Sequence, residues 1–573
     1  GAVEEAGHQS AGRHYSRVGC ARRVTSMHRM TKEKLYKWWY ALCFVFLGII
    51  DQRRGSALGT IQITFTNLTG VVMALLLLPS IRLEKGKAKP YLLWTPVCVI
   101  LAIIACIIGN NCWQYKGQWI TAVLNIAVWS YLIIYVYQEK SYTELFARIK
   151  QPVFWCTCLC LVLMQMSVHE GIVPLWYLLI YGGFAVIGIP RERTEDFFDG
   201  MLTGIILWFF GQQIIAFGFR PYDYVRYRGL YSGETQNGMH YMIVFCAFLL
   251  KWVYSREKNK KWWIQFFYFF MSAVMISFTV LTGGKAPILG IAAVTAFVIL
   301  GYNIFKRKTF YGVLLHAVTL AVCVVLSFPV CYLSIRYLPT ILHHPVWFEG
   351  EYVEGVSVCS FDPWNSTKYI SFEDVVYNDV NRLLQSIGIG PDKWIVQFQQ
   401  FMQALPVHAE ELNRQEIAEN EAGSRPDNPF NIEELNGLSS STDARKVIYT
   451  YYWNHLNFRG HDKEHSGFWI SEATYYGHAH NMFLQIAYDY GIIPGILFLL
   501  IYMYSLYRAF RLCLKGNWTC IVFLLAILCF GMAEMVLVSG QITVTLMAVI
   551  FYFTGRDGYT LTLKSREVAE ETQ

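Results

Sequence analysis

Residues 310–334 read FYGVLLHAVTLAVCVVLSFPVCYLS, a run without a single Asp, Glu, Lys or Arg. A helix of this length spans about 37 Å, enough to cross a hydrocarbon core of about 30 Å. Working outward, the pattern repeats. Fourteen apolar windows, from 35–50 to 541–555, alternate with charged hinges. The 573 residues are 54% hydrophobic and 16% charged, whereas soluble proteins carry about 25% charged residues. A soluble enzyme, a secreted disulfide scaffold and a single-span receptor are thereby excluded. Most of the fifteen cysteines lie inside apolar runs, as Cys156, Cys158 and Cys160 do, and read as small buried hydrophobes. Only Cys112 and Cys359 fall in stretches expected outside the membrane, so at most one bridge is available. The expected fold is an all-α polytopic membrane protein of about 12–14 transmembrane helices.

Lys and Arg concentrate on cytoplasmic connections. Alternate short connections along this chain hold 20 and 7 of them. The bias places both termini in the cytoplasm and the long stretch 335–481 on the outer face. The expected organisation is a basic tail at 1–34, in which Met27 and Met30 offer alternative starts. Helices 1–11 follow at 35–334, an extracytoplasmic loop subdomain at 335–481, helices 12–14 at 482–555 and a cytoplasmic tail at 556–573. Residues 335–480 contain 20 Asp plus Glu against 10 Lys plus Arg. Segments 370–404 and 443–457 have apolar residues at helical spacing, so the loop reads as mostly helical. Its Glu-rich, Pro-containing stretch 409–435 reads as the least ordered part.

Four segments of the outer face carry candidate chemistry. Arg226, Arg228 and Asn237 lie in Arg-Tyr-Arg-Gly-Leu-Tyr-Ser-Gly-Glu-Thr-Gln-Asn, just before the eighth window. Arginines on the face that basic residues avoid suit an anionic headgroup, either a bound substrate or an anchoring lipid. Lys285 follows Thr282-Gly283-Gly284 at the start of the tenth window, where an ammonium also snorkels without any ligand. Arg445 sits in Asp443-Ala-Arg-Lys446, ahead of Tyr449, Tyr451, Tyr452 and Trp453. The fourth segment is Gly477-His478-Ala479-His480-Asn481, followed by Gly491 and Pro494-Gly495. Asn481 is a good helix N-cap, which puts His480 at the positive end of a helix dipole and favours a neutral base. Such a histidine takes a proton from an attacking hydroxyl. His461 and His465 have a chelating spacing, but glycines flank the pair and no Cys pair accompanies it, so no metal or cofactor is expected. No phosphate loop or nucleotide-sugar motif is present. Glu534 in the thirteenth window and Gln212-Gln213 in the seventh read as groups that bridge packed helices or serve a transporter.

The string from Ala479-His480-Asn481 through Leu484-Gln485 and Ala487 to Gly491 and Gly495 resembles the signature of the O-antigen ligase and O-antigen polymerase superfamily. In that family His-Asn, nine residues and Gly open the span after a long outer loop. Arg226 to Asn237 resembles its Arg, Gly, Asn segment, and Asp443-Ala-Arg445 with Tyr449 and Tyr452 resembles its loop arginine ahead of an aromatic. Lys285 stands where the family usually has Arg, which keeps the charge without the bidentate fork.

The resemblance implies a metal-independent glycosyltransferase of the cytoplasmic membrane, with its active site on the outer face. Its partners would be a glycan donor on a polyprenyl diphosphate, a glycan or lipid-glycan acceptor, membrane lipids and other polysaccharide-assembly membrane proteins, with no nucleic acid. It casts His480 as general base on the acceptor and Arg445 as the second catalytic residue. Arg226, Arg228, Asn237, Lys285 and Asn481 become substrate-binding residues. The competing class is a lipid-linked glycan flippase.

Overall fold

A computed structural model describes residues 35–52, 60–81, parts of 94–107, 116–139, 151–169, 173–219, 226–231, 233–342, 346–353, 356–360, 441–462, 468–471, 474–476, 478–536 and 541–556. The expected helices of 370–404, the stretch 409–435, His465 and Cys112 lie outside these residues. The helices are α1 (35–52), α2 (Thr60–Leu77), α3 (Lys116–Glu139), α4 (Pro152–Gln165), α5 (Val173–Val186), α6 (Thr194–Phe219), α7 (Glu234–Glu257), α8 (Trp262–Leu281), α9 (Lys285–Leu300) and α10 (Phe310–Ile341). After the long loop come α12 (Met482–Tyr490), α13 (Ile492–Cys513), α14 (Thr519–Gly531) and α15 (Ile542–Gly555), with α11 (Ser441–Asn454) inside the loop. Among the described residues seven helices are long and apolar enough to cross a membrane: α3, α6, α7, α8, α9, α10 and α13. Shorter apolar helices α2, α4, α5, α14 and α15 occupy other expected windows.

Packing sorts these helices by composition. The apolar window in α7 has a mean hydropathy of only 1.2 and is 94% buried, whereas that in α10 reaches 2.4 and is 22% buried. A helix that faces lipid must be apolar all round, while one enclosed by other helices keeps polar groups if they are paired. Accordingly α7 is the central post, wrapped by α6, α8, α9 and α14. Gln213 of α6 accepts from the Tyr241 hydroxyl of α7 at 2.8 Å and donates to the Tyr227 hydroxyl at 3.0 Å. It bridges helices, the first of the two readings its sequence allowed. Gly200 and Gly204 of α6 form a small-residue seam with α1. A Cβ on either would lie 2.6 Å from the Lys37 carbonyl or 2.3 Å from that of Ala41, so only glycine admits this approach. At the far end of α1 the buried Asp51 accepts from the Ile542 amide at 3.3 Å, capping α15.

The structure departs from the expected pattern in three places. The window 482–507 is two helices, because Gly491 takes φ of +103° and ends α12 after nine residues. Window 519–538 is helical only to Gly531, so Glu534 stands beyond the end of α14. The described ends of the loop contain two antiparallel hairpins besides α11: β1 (Val346–Val353) with β2 (Val356–Ser360), and β3 (Phe468–Ser471) with β4 (Thr474–Tyr476). Their valines and aromatics suit a pleated ribbon.

Candidate functional site

The site is assembled where α11, α12 and the end of α14 meet. Asn481 supplies the start of α12. Its side-chain oxygen accepts from the amides of Phe483 and Leu484, both at 3.1 Å, the geometry of a helix N-cap. Gln485, one turn on, accepts from the Ala479 amide at 2.5 Å and donates to Asp489 at 2.8 Å. The segment 478–481 is therefore tied back onto its own helix, and His480 adopts φ of +50°, a left-handed conformation uncommon outside glycine.

Helix α11 closes the site from the loop side. Ile448 and Tyr452 pack with Ala479 and Tyr488 into a small apolar cluster that fixes α11 on α12. Arg445 and Tyr449, four residues apart, share a face of the helix. The Tyr449 hydroxyl shares its one proton between the His480 carbonyl at 3.2 Å and the Met532 carbonyl at 3.1 Å. Burial raises the Tyr449 phenol above its ordinary pKa, so it stays protonated and serves as a donor.

Glu534 arrives from the turn after α14. Met482 presses its sulfur against Gly531, and the chain then turns through Met532 and Ala533. The Glu534 carboxylate meets His480 Nδ1 at 3.0 Å through Oε2 and Arg445 Nη2 at 3.9 Å through Oε1. A carboxylate only accepts, so Nδ1 of His480 carries the proton and Nε2 is its basic nitrogen. Beside it, the His480 amide donates to His478 Nδ1 at 3.4 Å, and the two rings meet edge to face at 4.2 Å. Burial lowers the His478 pKa to about 4, so His478 is neutral at physiological pH. All three members of the pair and its partner keep some exposure, with side-chain accessibilities of 24% for His480, 18% for Glu534 and 34% for Arg445.

One atom each of His478, His480 and Glu534 lies within 4.8 Å of the others, close enough to share a cation. The Arg445 guanidinium, 3.9 Å from the same carboxylate, competes with a cation for it. His461 is occupied differently. Its Nδ1 meets the Tyr488 carbonyl at 2.9 Å, its Nε2 meets Asn457 at 3.2 Å, and its ring stacks on Tyr488.

The remaining sequence-predicted residues form a second cluster. Arg226 donates from Nε to the Thr282 carbonyl and from Nη2 to the Gly283 carbonyl, each at 3.0 Å, and pairs with Glu234. It thus caps the carbonyl end of α8, where a cation complements the helix dipole. Asn237 is fully buried and donates to the Tyr227 carbonyl at 3.4 Å. Arg228 is 4% exposed, while Lys285, the first residue of α9, is exposed. Gly290 lies against the Ala526 carbonyl and Gly301 against the Trp518 ring, so α9 and α14 run antiparallel and Lys285 stands at the same end of the bundle as Glu534.

His480, Asn481 and Arg445, all candidates from the sequence, meet in this site, and Glu534, to which the sequence assigns no site role, joins them. The signal available was a lone carboxylate in an apolar window, followed by Ser539-Gly540. No family model matches the chain, no curated protein matches it, and no solved structure matches it. The fold defines a polytopic α-helical membrane protein.

Proposed function

We propose that this protein is a membrane glycosyltransferase of the O-antigen ligase and polymerase type, transferring a glycan from a polyprenyl diphosphate to an acceptor hydroxyl at the outer face of the cytoplasmic membrane. The observation that supports it best is the oriented pair, His480 Nδ1 to Glu534 at 3.0 Å, which leaves Nε2 as the basic nitrogen. In this reading Nε2 takes the acceptor hydroxyl proton as the oxygen attacks the anomeric carbon. Glu534 stabilises the imidazolium that forms. The bond from the anomeric carbon to the diphosphate oxygen breaks, and the leaving diphosphate gathers charge facing Arg445 and Lys285. Direct displacement inverts the anomeric configuration. Arg226 and Asn237 shape the wall of the donor pocket through the turns they hold.

The test is the surface-glycan gel profile of the native host lacking this gene, complemented with wild type or with His480→Ala at equal membrane abundance. The expected result is that the variant fails like the deletion. Single repeat units then indicate a polymerase, and unattached full-length glycan a ligase. A wild-type profile from His480→Ala would sink the reading and favour a lipid-linked glycan transporter. The break at Gly491 is the observation that supports that second class, since discontinuous helices are common in transporters.

A further inference from the structure

A second polar centre lies at the opposite end of the bundle. Helix α13 leads away from the His480 site for about 33 Å before the chain turns at Gly516 and Asn517. There a cavity of about 370 Å³ opens between α1, α6, α7, α8 and this turn. Four lysines line it, Lys37, Lys251, Lys258 and Lys260, against two carboxylates, Glu195 and Asp199, an excess of two positive charges. Lys251 is 9% exposed and reaches Asp199 and, at 2.9 Å, the Thr203 hydroxyl. Lys37 meets the other oxygen of Asp199 at 2.6 Å, and Lys258 pairs with Glu195. Lys260 has no ion-pair partner among the described residues.

The bias of basic residues toward the cytoplasmic face accounts for lysines on connections. It does not account for Lys251, enclosed within a helix at a depth where an ammonium is costly to bury. Nor does it account for Asn517. This residue is 2% exposed and lines the cavity; its side-chain oxygen accepts from the Thr519 amide at 3.2 Å, while its amide nitrogen has no partner among the described residues. A buried N–H without an acceptor is costly, and the residue that carries it borders a cavity with surplus positive charge. An acceptor bearing two negative charges satisfies both. A phosphate monoester has a charge of about −1.5 to −2 at neutral pH and three acceptor oxygens.

We propose that this cavity binds a dianionic phosphate group, held by the surplus lysine charge and by the Asn517 amide. The group belongs either to free phosphate or to a lipid headgroup of the adjacent leaflet. The inference is independent of the transfer reaction, and its test reads binding alone. The full chain is reconstituted in phosphatidylcholine nanodiscs and titrated calorimetrically with inorganic phosphate. In parallel, native mass spectrometry counts phosphatidic acid retained after doping the nanodiscs with it. The expected result is one saturable site for at least one probe, weakened tenfold or more by Lys260→Gln and by Asn517→Asp. The aspartate keeps the acceptor for the Thr519 amide while replacing the donor by a charge, so the turn is preserved. Phosphate binding alone identifies a soluble ligand, and phosphatidic acid retention alone identifies a headgroup. Binding unchanged in both variants, or no saturable binding of either probe by the wild type, would overturn the proposal.

Discussion

Two arginine-bearing segments lie at one end of this bundle, and they use their charge in opposite ways. Arg226 is fully engaged by its own fold, with two helix-end carbonyls and Glu234 around one guanidinium. Among the described residues Arg445 has a single long ion pair, 3.9 Å from a carboxylate that is also bonded to His480. A cation that closes a helix end is part of the scaffold. One that stands loosely beside an oriented histidine is free to move toward a substrate charge. The two were indistinguishable by residue type and expected location, so partner geometry is what separates structure from chemistry.

This contrast is tested most severely at His480. His480→Ala is expected to reduce glycan transfer by about 10²–10⁴-fold while the protein still inserts, measured with purified donor and acceptor in vesicles. Glu534→Gln keeps an acceptor for Nδ1 but removes the charge, and a loss of about 10–100-fold is expected. In the same assay EDTA should leave wild-type activity unchanged. A loss restored by one divalent metal would assign His478, His480 and Glu534 to a cation instead.

The sharpest form of the comparison is a paired experiment. Arg445→Ala should lower turnover about tenfold at unchanged melting temperature. Arg226→Ala should destabilise the protein by about 2 kcal/mol, the scale of charge-assisted hydrogen bonds, and affect turnover only in proportion to the folded fraction. If the two variants exchange phenotypes, the assignment of roles is reversed. For Lys285, Arg should be tolerated and Glu should abolish donor binding; full activity of Lys285→Glu would remove it from the diphosphate site.

The smallest expected effect concerns His478. Its folded pKa of about 4 lies below the ordinary 6.5 because burial disfavours the charged ring. Between these values the unfolded chain binds more protons than the folded one, so the contribution to stability is complete above pH 6.5 and is lost progressively as the pH falls toward 4. His478→Gln should flatten the melting temperature over that window by about 2 °C. An unchanged slope would place the acid sensitivity elsewhere.

The apolar runs and the helix start at Asn481 were legible in the sequence because each has a local cause. A bilayer demands a minimum apolar length, and an N-cap demands a short side-chain acceptor beside the first turn. Residues 310–334 and Asn481 meet those demands without reference to anything distant. The location of His480 at the mouth of α12 followed from the same local rule.

Tertiary structure alone decided the partner of that histidine. Glu534 is 54 residues away and sits within an apolar window that continues well past the point where α14 stops. There Met482 of α12 packs on Gly531 while the chain turns at Met532 and Ala533, and the approach of α12 is a contact between elements that no local pattern encodes. The same holds for Arg226, whose charge reads as a ligand site until the end of α8 is found beneath it. Local periodicity and capping set which segments cross and where helices begin. The pairing of charges across helices depends on how those segments pack, and it determined which residues form the candidate site.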